Sequence, residues 1–153
     1  MTISAICNRD VIAARRTDTV IDAARSMRKH HVGSLVIVED NKQGGMVPVG
    51  IITDRDITVS VTALGLDPAT ITVNEIMVDS VVCIHENAGI AETVALMRTK
   101  GVRRLPVVND AGALTGVIAA DDLLSLLADE LTGLADSAER ERRHEQETRR
   151  SGV

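Results

Sequence analysis

The chain states one pattern twice. Residues 18–57 pass through Val20, Met27, Val32, Leu35 and Val38 to the string GIITDRDI, Gly50 to Ile57; residues 88–123 pass through Ile90, Met97, Val102, Leu105 and Val108 to GVIAADDL, Gly116 to Leu123. Met27 and Met97 stand 70 positions apart (97 − 27) and Gly50 and Gly116 stand 66 apart (116 − 50), so the second copy is four residues shorter. That loss is placed between Asp110 and Gly116. A tandem repeat of this length makes each copy half of one folding unit, and a cleft between two such halves is a natural ligand site.

The apolar spacing reads as strand–helix–strand–strand–helix in each copy. Val20, Ala23, Ala24, Met27 and His31 fall on one helical stripe, with Asp22, Arg25, Arg28 and Lys29 on the other faces. Ile90, Val94 and Met97 repeat the stripe, and Gly101 reads as its stop. Leu35 to Val38 and Leu105 to Val108 are short β-rich runs; each leads through a turn region to a second strand, Val47 to Thr53 and Leu114 to Ala119. Val11 to Ala14 and Val81 to Ile84 supply a leading strand, and further helices start near Asp54 and Ala120. Apolar strands flanked by amphipathic helices make an α/β domain. Thr72-Val73-Asn74-Glu75 has the spacing of a capping box ahead of the second copy, and Thr2 to Cys7 takes the matching place ahead of the first. The expected division is residues 2–66, residues 67–134, and a charged tail or helix extension over 135–153, with Gly65 to Thr70 as linker.

Composition excludes several function classes. The net charge of −5 argues against a general nucleic-acid binder. The absence of Phe, Tyr and Trp removes aromatic platforms for single strands. Any ligand ring must lie against aliphatic groups and backbone. No apolar run approaches the length of a membrane span and no signal peptide is visible. Cys7 and Cys83 read as buried thiols of a reducing compartment, so a cytoplasmic location is expected. There is no GxxxxGK[ST] loop, no GxGxxG after a strand and no GxSxG. His30 and His31 are adjacent on a helix and cannot share a metal from one face, and His85 and His144 lack a surrounding ligand cluster.

The string Gly50 to Asp56 carries the chemistry. It ends a strand and starts a helix, where free backbone N–H groups and a positive partial charge suit a phosphate. Thr53 can donate to a phosphate oxygen, and the Asp56 carboxylate can accept from two vicinal hydroxyls, as on a ribose. The same residues are also an ordinary helix cap, and the spacing leaves both readings open. In the second copy Arg103 and Arg104 enter a strand. Alternation along an extended chain turns one of them inward, where it can meet phosphate. Leu124, Leu127, Leu131 and Leu134 step by three, four and three, a helix seam for its own sheet or for a second copy of the chain.

The doubled unit, the G-h-h-T-x-x-D ending and the V-x-x-L-h-V-V strand resemble a pair of cystathionine-β-synthase-type domains, or CBS domains, over roughly residues 2–130. The resemblance implies two βαββα units packed sheet to sheet about a pseudo-twofold axis. It implies a cleft that takes an adenosine nucleotide (AMP, ADP or ATP, with magnesium if the nucleotide brings it) or an S-adenosyl compound. The motif's Thr and Asp would then contact phosphate and ribose. Thr53 and Asp56 match in the first copy. In the second copy Asp122 matches, but Ala119 stands where the Thr belongs, so the two sites are unequal. The expected function is a regulatory sensor without catalysis, a homodimer that signals to an unknown regulated protein, with no nucleic acid and no membrane involved. The alternatives are a structural dimerisation module that binds no small molecule, and a metal-dependent phosphohydrolase using Asp54, Asp56, Asp121 and Asp122.

Overall fold

Two three-stranded sheets of identical topology carry the repeat. The structure is a computed structural model and describes residues 1–150. In the first half, β1 (Ala13–Ala14) pairs in parallel with β2 (Ser34–Asp40), and β2 pairs antiparallel with β3 (Met46–Thr53). In the second half, β4 (Ile84–His85), β5 (Arg104–Val108) and β6 (Leu114–Ala119) repeat the arrangement. The helices are α1 (Val20–His30), α2 (Asp54–Ile57), which continues as a π-turn over Thr58–Thr62, α3 (Val73–Ile76), α4 (Ile90–Lys100) and α5 (Ala120–Arg150). The chain divides into two compact units, one of residues Met1–Ala119 and a second starting at Ala120; over the described residues the second is the single helix α5. No helix among the described residues is long and apolar enough to cross a membrane.

The central strands are buried on both faces, which is why β2 reads as an unbroken apolar run from Leu35 to Val38 rather than as an alternation. The first half's core gathers Ala23 and Met27 from α1, Leu35, Ile37 and Ile52 from the sheet, and Val73 and Met77 from the segment that leads into the second copy. The stripe on α1 therefore does the packing that its period demands. His31 is the exception to the expected stripe. It lies past the helix as the αL cap (φ 54°, ψ 41°) and is exposed. Gly101 holds the same position after α4 at φ 66°, where the missing Cβ makes the conformation easy.

The four-residue difference between the copies does not lie where expected. Both hairpins close through the same five-residue loop. Asn41 Oδ1 accepts from the N–H groups of Gln43 (3.0 Å) and Gly45 (2.7 Å), and Asn109 Oδ1 accepts from Ala111 and Ala113, both at 3.0 Å. The loops are equivalent, so the shortening falls on the strands. The first hairpin ends in the rungs Glu39↔Val47 and Asp40↔Met46, whereas the second stops at Val108↔Leu114. Removing two residues from each strand keeps every remaining side chain on its own face; removing an odd number from one would have inverted the pattern. Both hairpins also carry a register shift at the same place, after Ile37 and after Val107.

The leading segments are exchanged between the halves. Residues before the first copy lie on the second sheet: Ile3 N–H donates to Ala88 O (2.9 Å), and Asn8 and Val117 exchange both backbone hydrogen bonds at 2.9 Å. Residues before the second copy lie on the first sheet: Val73 N–H donates to Asp18 O (2.8 Å) and Val78 N–H to Ile51 O (3.3 Å). Ile3 and Val73, both fully buried, fill matching places in the two cores. The expected linker over Gly65 to Thr70 is tied down in the same way, with Pro68 O accepting from Ile21 N–H at 3.0 Å.

Candidate functional site

The exchanged segment builds one wall of a cleft of about 520 Å³ in the Met1–Ala119 unit. This falls within the ~300–1,000 Å³ usual for small-molecule sites. The first half contributes Thr53 at the end of β3 and Asp54, Arg55 and Asp56 of α2. The second half contributes Arg103 and Arg104 where the chain passes from α4 into β5. Between them runs the irregular stretch Val78 to Val82. A Cβ on Gly50 would meet Val78 O at 2.9 Å and the Met77 sulfur at 3.0 Å, so this wall reaches its position only because residue 50 has no side chain.

The wall is further anchored by Arg16. Its guanidinium bonds to Glu39 on β2, to Asn74 Oδ1 at 2.8 Å and to Asp79 Oδ1 at 3.0 Å. These partners, chiefly the Asp79 hydrogen bond, push the Arg16 pKa further up. Beside it, the Arg15 hydrogen bond holds the Asp40 carboxyl below the usual carboxylate range. At the start of α3, the predicted capping box forms: Thr72 N–H donates to Glu75 Oε2 at 2.7 Å and lowers the Glu75 pKa. Burial raises the pKa of the Cys83 thiol, which is free, as is Cys7. Cys7 packs over Gly116 as Met77 packs over Gly50, with its sulfur 2.6 Å from where a Cβ on Gly116 would stand.

Thr53 and Asp56 turn out to be both a cap and cleft-lining residues. Thr53 Oγ1 accepts from Asp56 N–H at 3.1 Å, and Asp56 Oδ2 accepts from Thr53 N–H at 2.8 Å. This reciprocal box leaves the Thr53 hydroxyl hydrogen and Asp56 Oδ1 to face a ligand. It also corrects one expectation. The amides at the helix start are not free: Asp54 N–H donates to Gly33 O (3.0 Å), Arg55 N–H to Asp54 Oδ1 (2.8 Å), and Asp56 N–H to Thr53. A phosphate would have to be met by side chains.

The arginine pair departs from expectation as well. Arg103 and Arg104 both line the cleft, because Arg103 sits in the bend before β5 and only Arg104 is in the strand, so alternation does not apply. Arg104 pairs in register with Ala119, as Ser34 does with Thr53. Asp122 stands in the first turn of α5, in the second unit, whereas the cleft lies within the first. Arg55 also lines the cleft; its one signal in the sequence is its place inside the motif, between Asp54 and Asp56. The wall from Val78 to Val82 carries no such signal, because no local pattern announces a contact with the other half. Among the described residues, no group of three or more His, Cys, Asp or Glu side chains is placed to hold a metal. The four leucines of α5 are exposed, from 43% at Leu127 to 68% at Leu134.

Comparison with known proteins agrees with this architecture. The family model described as CBS domain matches residues 3–62 and again residues 73–129. The uncharacterized protein MK0525 of Methanopyrus kandleri is 36% identical over 126 residues, which is 82% of this chain and 62% of that protein; the chain thus spans under two thirds of that relative's length. Among solved structures, a putative signal-transduction protein with CBS domains from Burkholderia ambifaria superposes with a TM-score of 0.72 at 29% identity, covering 84% of this chain and 96% of the other. The CBS domain pair of protein MJ0100, solved in complex with 5′-methylthioadenosine and S-adenosyl-L-methionine, gives 0.69 at 26% identity, with coverages of 83% and 99%. With two matched copies, each providing one of the two sheets, the chain belongs to the CBS domain family.

Proposed function

We propose that this chain is a regulatory module that senses an adenosine-containing nucleotide in the cleft and performs no catalysis. One observation carries the reading. A cleft of ligand size brings Thr53 and Asp56 of one copy together with Arg103 and Arg104 of the other, so hydroxyl, carboxylate and guanidinium groups converge on one space. The complex of the MJ0100 pair with two adenosine compounds supports it by likeness. Asp56 Oδ1 accepts from a ribose hydroxyl, the Thr53 hydroxyl donates to a phosphate, and the arginines balance the phosphate charge. Binding draws the two halves onto one ligand, and a regulated partner reads the change. A ligand shifts such an equilibrium only by its differential affinity for the two states.

A thermal-shift panel of AMP, ADP, ATP, S-adenosylmethionine and NAD tests this, read with an extrinsic dye because the chain has no Trp or Tyr. At 100 times its dissociation constant a ligand adds about 2.7 kcal/mol, worth roughly 5–10 °C at this chain length. A flat panel would sink the reading in favour of a structural module. That alternative draws on the exposed leucines of α5, which we read as the seam of a homodimer. Light scattering on the same sample is expected to give twice the chain mass of 16.3 kDa.

A further inference from the structure

We infer that charges of opposite sign, set at matching points of the two halves, decide which leading segment seats on which sheet. Arg16 receives the segment of Asp79 in the first half, and Glu86 receives the segment of Arg9 in the second. The match of position is fixed by the backbone. Asn74 N–H donates to Arg16 O at 3.0 Å, and Ser4 N–H donates to Glu86 O at 2.9 Å. Val78 is bonded to Ile51, as Asn8 is to Val117. The same 70 positions separate Asp79 from Arg9 (79 − 9), Asn74 from Ser4 (74 − 4) and Glu86 from Arg16 (86 − 16). At these points the signs are reversed: a basic residue receives an acidic segment in one half, and an acidic residue receives a basic segment in the other.

The first pair is closed. Arg16 Nη1 donates to Asp79 Oδ1 at 3.0 Å and to Asn74 Oδ1 at 2.8 Å, both on the incoming segment, while Nε goes to Glu39 on β2. In the second half Arg9 donates to Ser4 O at 3.0 Å, on the residue whose own N–H is bound to Glu86. Shape discriminates weakly between the two segments. Their fully buried residues, Ile3 and Val73, differ by one methylene, and Cys7 and Met77 each lie over a glycine. Charge discriminates where shape does not. Residues 2–9 on the first sheet would bring Arg9 to Arg16, and residues 72–79 on the second would bring Asp79 to Glu86. An exposed ion pair stabilises little by itself. The choice, however, depends on the difference between two seatings, to which both segments contribute attraction lost and repulsion gained. Because the segment of Asp79 continues into the cleft wall, the sign at residue 16 also determines what the cleft is built from.

Three full-length chains test this, all with the parent's net charge of −5. In the first, Arg9→Asp and Asp79→Arg exchange the charges of the segments. In the second, Arg16→Glu and Glu86→Arg exchange those of the sheets. The third carries all four changes. Each double variant is expected to melt roughly 5 °C or more below the parent, and the quadruple variant to return to within about 2 °C of it. Hydrogen exchange reads the seating itself. The Ile3, Asn8, Val73 and Val78 amides, each bonded to the half that receives it, should lose protection in both double variants and regain it in the quadruple. Arg9→Asp alone, which breaks no ion pair, should still lower protection at Ile3 and Asn8. All these differences should shrink at high salt. If the double variants keep the parent's melting temperature and protection, or the quadruple variant is no better than they are, charge does not choose the seating and the inference is overturned. A silent Arg9→Asp would overturn it too, leaving Arg16 and Asp79 as an ordinary ion pair. Should a double variant fail to fold, the quadruple still decides: its folding supports the inference, and its failure overturns it.

Discussion

Asp56→Asn is expected to weaken binding of ATP or AMP about tenfold or more while moving the melting temperature by no more than about 2 °C, because the amide N–H₂ that replaces Oδ1 cannot accept from a ligand hydroxyl. The two effects separate for a structural reason. Asp56 has two jobs, one for each oxygen. Oδ2 closes the capping box on Thr53 N–H at 2.8 Å, and an asparagine oxygen accepts that bond equally well. Oδ1 is left for the ligand, and there the asparagine presents an amide in place of an anionic acceptor. Asp56→Ala removes both oxygens, so it adds the loss of the cap, about 1 kcal/mol, to the loss of the ligand contact. Calorimetry and thermal melts on the two variants check this. Equal affinity in Asp56→Asn and the parent would show that the residue is a cap and nothing more.

Gly50→Ala is expected to destabilise the fold by about 2 kcal/mol, in line with inserting a methyl group into a packed contact. That corresponds to roughly 4–8 °C at this chain length. The new Cβ would stand 2.9 Å from Val78 O and 3.0 Å from the Met77 sulfur. The sulfur belongs to a flexible side chain, but the carbonyl belongs to the backbone and moves only if the wall moves. Since Val78 lines the cleft, ligand affinity should fall along with stability. At Gly116 a Cβ would meet the Cys7 sulfur at 2.6 Å and, as at Gly50, a backbone carbonyl, Asn8 O at 3.0 Å, so Gly116→Ala should cost about as much. Gly133→Ala is the control: nothing lies within 4 Å of a Cβ there, and the change should raise helix stability by about 0.5–1 kcal/mol. Urea melts on the three variants check the order. If Gly133→Ala proves as costly as Gly50→Ala, close approach is not the reason for glycine at position 50.

Much of this fold is written in local periodicity. The stripe from Val20 to Met27, the runs at Leu35 and Leu105, and the stop at Gly101 each follow from a single element's own packing, and each appears where its spacing puts it. What periodicity does not carry is the partner across the fold. The four missing residues look like a shortened turn when two strings are laid side by side, because only the rungs of a hairpin show that Asn41 and Asn109 open the same loop. The site divides along the same line. Thr53 and Asp56 were legible because their motif is contiguous, and Arg103 and Arg104 because charge stands out in an apolar neighbourhood. The saturation of the α2 amides was not legible, since it depends on which of several nearby oxygens the backbone turns toward. Nor was the wall from Val78 to Val82, which is positioned by Arg16 and Gly50, both distant in sequence.

The exchange of leading segments has a consequence for how such a chain can be divided. A cut within Gly65 to Thr70 would free two pieces of sequence but not two folded bodies. The piece that keeps the first sheet would lose Val73 and Met77 from its core, and the piece that keeps the second would lose Ile3. Each piece would instead carry, at its own start, the plug that fits the other. The structure is therefore that of a swapped pair whose partners have been joined end to end: each half is completed by its neighbour's opening residues. The unit that is copied in the sequence is not the unit that folds, and the cleft, which needs residues from both copies and from the segment between them, exists only once they are joined.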